Sequence, residues 1–285
     1  MTNRVASLQS KLRQIAQADG KSYQLILTRY FQERLLYRLF MSDYRTHFCL
    51  KGGALLYAIE QERSRPTLDI DLLAIDLSNE IPQLRAVFEV IGAIEYETDG
   101  VRFDTSELTA TPITHESLYP GLRLKIVARL GTIQQVLQID IGFGDIVTPG
   151  PTPMAYPTLL VMEAPQVLAY SRETVIAEKF EAMIDLAQLN SRMKDFYDVY
   201  RLLEGGQYTA QTLQDAIRNT FRWRQTVCEA SHPLFRIEFA NDLQRKGQWK
   251  AFLTKSGLDT GLEFTRVMQM ITRHLYPIYQ QLIAQ

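Results

Sequence analysis

Apolar positions recur at three- and four-residue steps along YQLILTRYFQERLLYRLFMS, and residues 5–18 and 22–41 read as helices. His47 to Leu50 reads as a short strand, after which Lys51-Gly52-Gly53 opens an apolar helical segment, ALLYAIE. Pro66 disfavours helix at Arg65, so 63–66 is a loop. Thr67 to Ile75 then reads as a strand and SNEIPQLRAVFEVIGA as another helix. Between Ile94 and Asp145 the spacing changes to period two. There RLKIVARLG and TIQQVLQIDIGFGD read as paired strands joined at Gly131-Thr132.

The segment VTPGPTPMAYPTLL holds four prolines in fourteen residues and marks a boundary. Beyond it every segment reads helical: 171–188, 191–204, 209–222, 236–254 and 260–283. The expected organisation is α+β, with N-terminal helices and a domain on a mixed or antiparallel sheet over residues 1–150. An all-α domain over residues 151–285 is expected to follow.

Composition narrows the class. With 285 residues, 46% of them hydrophobic and 22% charged, the chain has enough apolar mass for a large core, which excludes disordered and fibrous proteins. Cys49 and Cys228 lack CxxC spacing, which argues for a reducing compartment and against structural zinc. The polar N-terminus has no apolar signal core, and no segment approaches roughly 18 apolar residues, so a cytoplasmic protein without a membrane partner is expected. The net charge of −1 hides an asymmetry, because Gly205 to Gln285 carries ten Lys and Arg against six Asp and Glu. Such a basic region is compatible with a phosphate-rich partner, though solvated helical faces look the same.

The chemistry concentrates in three places. In TLDIDLL, Asp69 and Asp71 sit two apart, which on a strand puts both carboxylates on one face about 7 Å apart, with Leu68, Ile70 and Leu72 facing the core. Paired carboxylates suit a hard divalent cation such as Mg²⁺; a solvated strand edge is the plainer alternative. Gly52-Gly53 stands at a helix N-terminus just before that strand, where backbone N–H groups favour phosphate; close packing in a tight turn is the other explanation. Asp140, in LQIDIGFGD, lies between apolar neighbours and on an adjacent strand would complete a cluster of three carboxylates. Such a cluster can hold two Mg²⁺ ions roughly 3.5 to 4 Å apart, with Asp140 best placed to take a proton from an attacking hydroxyl. Together these features describe nucleotidyl transfer.

The residues Lys51-Gly52-Gly53, then RPTLDIDL from Arg65 and QIDIGFGD from Gln138, resemble the AbiEii/AbiGii toxin family, which includes MenT-like toxins. The likeness continues through VIAEKFEA from Val175 and SRMKDFYDVY from Ser191, so it covers roughly residues 30 to 205. These are minimal nucleotidyltransferases of the DNA polymerase β superfamily. The resemblance implies metal ligation by Asp69, Asp71 and Asp140 and a phosphate-gripping turn at Gly52 and Gly53 beside Lys51, Arg65 and Thr67. It also implies a nucleotide-contacting Lys179 and a final motif of Lys194, Asp195 and Asp198. One departure is Ala54, where several members carry a hydroxyl; that contact is missing or supplied elsewhere.

The activity implied is transfer of NMP from an NTP to an acceptor hydroxyl with Mg²⁺, the acceptor being the tRNA 3′ end. The implied role is the toxin of a type IV-like toxin–antitoxin or phage-defence pair, its antitoxin a winged-helix DNA-binding protein. A protein acceptor, or a nucleotide-binding module without turnover, are the alternatives. A DxD glycosyltransferase fits less well, because the glycine turn precedes the strand. On a helix Asp195 and Asp198 share a face flanked by Lys194 and Arg201, a pattern that surface pairing also produces. The Arg-Trp-Arg of FRWRQT, with Arg245, Lys246 and Lys250, suits RNA by stacking and phosphate contact, or else packs Trp223 inward. His47, His115, His232 and His274 have no metal or triad spacing.

Overall fold

The period-two segments become strands of one sheet. The computed structural model describes residues 2–113 and 121–284, so His115 lies outside the described residues. The chain divides into two units, the first made of Met1–Gln61, Pro66–Gly144 and Thr152–Ala169, the second of Glu62–Arg65, Asp145–Pro151 and Tyr170–Gln285.

In the first unit the order along the chain is α1 (Thr2–Ala18), α2 (Tyr23–Met41), β1 (Phe48–Lys51), α3 (Gly52–Glu60), β2 (Asp69–Ala74) and α4 (Ile81–Ala93). Then come β3 (Val101–Ile113), β4 (Gly121–Leu130), β5 (Ile133–Phe143), β6 (Thr152–Ala155) and β7 (Gln166–Ala169). Among the described residues these strands form a seven-stranded sheet in the order β3-β4-β5-β2-β1-β7-β6. The sheet is mixed, with β2 parallel to β5 and β1 parallel to β7, while the other neighbours run antiparallel. The class is therefore α+β. Two strands, β6 within the proline-rich segment and β7 after it, stand in the stretch from residue 151 that was expected to be all-α. Each is four residues long, too short to show a period, and Pro153 is tolerated because β6 is an edge strand. Leu68 also departs from expectation: it precedes the first paired residue of β2 and is 66% exposed instead of in the core.

Helix α2 is buried over fourteen consecutive residues, Ile26 to Leu39, on every side and not along one stripe. Its polar residues are accommodated by partners. Gln32 donates to the Asp69 carbonyl at 3.2 Å, the Glu33 carboxylate accepts the Leu159 N–H at 2.8 Å, and Arg34 donates to the Glu163 carbonyl at 3.1 Å. Arg38 forks onto both oxygens of Asp99 and also donates to the Val101 carbonyl at 3.0 Å. Both Arg38 and Asp99 are buried.

The second unit is helical among the described residues: α5 (Arg172–Leu186), α6 (Met193–Gly205), α7 (Ala210–Arg224), α8 (Ile237–Asn241), α9 (Leu243–Ser256) and α10 (Phe264–Ile283). The single helix expected over 236–254 is broken at Asp242, whose side chain caps α9 by accepting the Arg245 N–H at 2.8 Å. Aromatic rings fill the core, with Phe180 against Phe221 and Tyr279, and Phe196 against Phe264. No described helix is long and apolar enough to cross a membrane.

Removing the carboxylate from Asp99 strands the Arg38 charge in a buried site. Asp99→Ala is expected to destabilise the protein by about 3–5 kcal/mol, read from the midpoint of denaturant unfolding. An unchanged midpoint would show that Arg38 finds water or another partner.

Candidate active site

Strand β2 carries Asp69 and Asp71 on one face, and its parallel neighbour β5 sets Asp140 directly beside Asp71 in the ladder. Adjacent strands lie about 4.8 Å apart, so the three side chains must converge. One carboxylate oxygen from each of Asp69, Asp71 and Asp140 lies within 4.8 Å of the other two.

The glycine pair is explained by contact with these acids. Gly52 has φ +63°, and a Cβ on it would stand 1.9 Å from Asp71 Oδ2. A Cβ on Gly53 would stand 2.4 Å from Thr67 Oγ1. Neither position tolerates a side chain, and the approach lets the Gly53 N–H donate to Asp71 Oδ2 at 3.3 Å. Thr67 in turn donates its hydroxyl to Asp69 Oδ1. Ala54 is fully buried behind the turn, so the hydroxyl near the acids is that of Thr67. Lys51 faces Asp71 across the antiparallel β1–β2 ladder. Burial first, and then the charge of Asp69, push the Asp71 carboxyl up to about 6, against the pull of Lys51 and the Gly53 N–H.

Three contributors escape a motif-based reading. Arg123 on β4 lies opposite Asp140 and grips it with both arms, Nε to Oδ1 at 2.8 Å and Nη2 to Oδ2 at 2.7 Å. Gln138 adds a bond to Asp140 Oδ2 at 3.3 Å. Gln32, from the buried helix α2, holds the Asp69 backbone.

The remaining candidate residues gather in the second unit. Lys179 on α5 places its ammonium 2.6 Å from Asp195 Oδ1 and 2.8 Å from Asp198 Oδ2. Arg65 reaches both oxygens of Asp198 at 3.2 Å, and Arg192 reaches Asp195 at 2.7 Å. Asp195 and Asp198 are buried, so they are not a surface pair; Arg201, their expected flank, also pairs with Glu204. Burial works against the Lys179 charge, but the two aspartates outweigh it and hold its pKa above the ordinary lysine value. Lys194 is exposed and reaches Asp195 only through its field. The Arg-Trp-Arg segment does not pack as a unit: Trp223 is 43% exposed, while Arg224 is engaged by Asp145 and Glu181 at 2.9 and 2.7 Å.

A family model, the nucleotidyl transferase AbiEii toxin of type IV toxin–antitoxin systems, matches residues 34–270. The chain belongs to the AbiEii family. It is a nucleotidyltransferase of the toxin class, with an NTP substrate and an antitoxin partner implied by that membership. Two crystal structures from Helicobacter pylori share the fold. JHP933 is 12% identical with a TM-score of 0.51, covering 93% of this chain and 95% of its own. A second, described as a nucleotidyltransferase, is 13% identical with a TM-score of 0.52, covering 92% of this chain and 98% of its own. Comparison with the curated proteins gave no match.

For an AbiEii-family enzyme the raised Asp71 value carries a cost. The folded protein holds the Asp71 proton more tightly than the unfolded chain does, so stability is lost as pH rises from the ordinary value of 3.8 through about 6. With chelator present, Asp71→Asn is expected to be more stable than the unmodified protein at pH 8 by about 1–3 kcal/mol. The difference should close near pH 4, as followed by thermal melts across that range. A constant difference at all pH values would mean Asp71 ionises as an ordinary carboxylate.

Proposed function

We propose that this AbiEii-family enzyme transfers NMP from an NTP to the 3′-terminal hydroxyl of tRNA in a Mg²⁺-dependent reaction in the cytoplasm. The observation that carries the reading is the convergence of Asp69, Asp71 and Asp140 within 4.8 Å, against a glycine turn that donates an N–H to one of them. The donor set is all hard carboxylate oxygen, which suits a divalent cation. These residues fit a pair of divalent ions. When bound, Mg²⁺ supplies charge neutralisation for the triphosphate and for the leaving pyrophosphate.

The protein's own share is binding and orientation, since in-line phosphoryl transfer asks for little covalent chemistry. Asp69, Asp71 and Asp140 would hold the cations, and Asp140 would accept the proton of the attacking hydroxyl. Gly52 and Gly53 let the nucleotide phosphates approach the backbone, with Lys51 and Thr67 alongside. The Lys179 ammonium has three N–H donors and spends two on Asp195 and Asp198, which leaves one for a phosphate oxygen. Arg65 and Lys194 add positive charge to that group. The antitoxin is then a winged-helix protein that controls a growth-arresting or phage-defence activity.

Incubation with Mg²⁺, each labelled NTP and total RNA is expected to label RNAs of tRNA size, and periodate treatment of the RNA, which destroys the 3′ diol, should abolish the label. Asn in place of Asp69, Asp71 or Asp140 is expected to reduce labelling by roughly 10²–10³-fold or more. Label on protein alone, or label that survives periodate, would overturn the acceptor. Undiminished labelling by Asp71→Asn would overturn the site.

A further inference from the structure

Asp140 is held by a planar guanidinium before any cation arrives. Arg123 uses both arms on it, so the plane of the carboxylate is fixed by two bonds of 2.8 and 2.7 Å, and Gln138 adds a third. Each carboxylate oxygen has two lone pairs, so the fork leaves the far side of Asp140 open. The pair is partly shielded from water on the carboxylate side: the Asp140 side chain is 16% exposed and that of Arg123 is 36% exposed.

We propose that Arg123 is the resident counter-ion of the acidic cluster, a positioning residue that orients Asp140 and sets how tightly the cluster takes a divalent cation. The inference rests on the reading of Asp69, Asp71 and Asp140 as a cation site. Two effects follow and they separate. The fork orients Asp140 through geometry, which Lys cannot reproduce because its ammonium is a point charge on a flexible stem. The positive charge opposes an incoming cation through the field, which Lys at the same position preserves. Arg123 therefore weakens cation binding while giving the third carboxylate its working orientation. A cross-strand pair that merely steadies the β4–β5 hairpin would have the first property of neither kind: its loss would cost stability and leave cation affinity alone.

The test titrates Mn²⁺ into chelator-treated full-length protein and reads free ion by electron paramagnetic resonance, with RNA labelling on the same preparations. Arg123→Gln is expected to bind Mn²⁺ roughly tenfold more tightly than the unmodified protein at low salt. Arg123→Lys should stay within about twofold, because the charge is kept. Both should label RNA more slowly, since both lose the fork. Equal or weaker Mn²⁺ binding by Arg123→Gln, or no Mn²⁺ binding by the unmodified protein, overturns the proposal. A tighter Arg123→Gln site in a protein that labels no RNA would leave this inference standing and remove the tRNA reading; labelled RNA with unshifted affinity would do the reverse.

Discussion

Three carboxylates held within 4.8 Å of one another repel, and much of the first unit is arranged to keep them there. The parallel β2–β5 ladder fixes Asp71 beside Asp140, and backbone hydrogen bonds along both strands resist their separation. Gln32 anchors the Asp69 carbonyl to α2, whose Glu33, Arg34 and Arg38 are themselves bonded within the core. Around the oxygens stand a hydroxyl, a backbone N–H and a guanidinium, from Thr67, Gly53 and Arg123. Burial first, and then the charge of Asp69, still push Asp71 up against these contacts. Stability is given up here for a concentration of negative charge, as expected of a site that acts on cations and phosphates.

The same constraint explains the turn. Gly52 and Gly53 are often read only as space for a ligand, yet here both positions are already closed by the acids' own strand, through Asp71 and Thr67. A side chain at Gly52 would displace Asp71 before it met any nucleotide. The packing and phosphate-binding readings of the pair are thus not rivals: backbone that can lie against Asp71 is backbone that a phosphate beside Asp71 can reach. Ala54 sits fully buried, and the hydroxyl that touches the acids is that of Thr67, thirteen residues on in the chain.

Much of this was legible in the sequence because period and spacing are local. Two residues apart on a strand meant one face for Asp69 and Asp71, and the Gly131-Thr132 turn marked a hairpin. That turn carried more than was read from it. Pairing Leu130 with Ile133 and stepping back along both strands brings Arg123 opposite Asp140, so a two-residue loop already specified the partner of the third acid. What was not legible depends on distant chain. No local pattern shows that β2 and β5, separated by α4, β3 and β4, run side by side, or that four-residue strands at Thr152 and Gln166 complete the sheet. Helix α2 showed its apolar three- and four-residue steps, but that Arg34 and Arg38 are buried against Glu163 and Asp99 is something no spacing rule could supply.

Charge balance differs between the two groups of candidate residues. In the first unit three carboxylates face Arg123 and Lys51, which leaves an excess of negative charge. In the second, each of the two buried carboxylates is met by two cations, Asp195 by Lys179 and Arg192 and Asp198 by Lys179 and Arg65. Lys179 keeps its charge because of these aspartates: stripped of them, a lysine this desolvated would give up its proton.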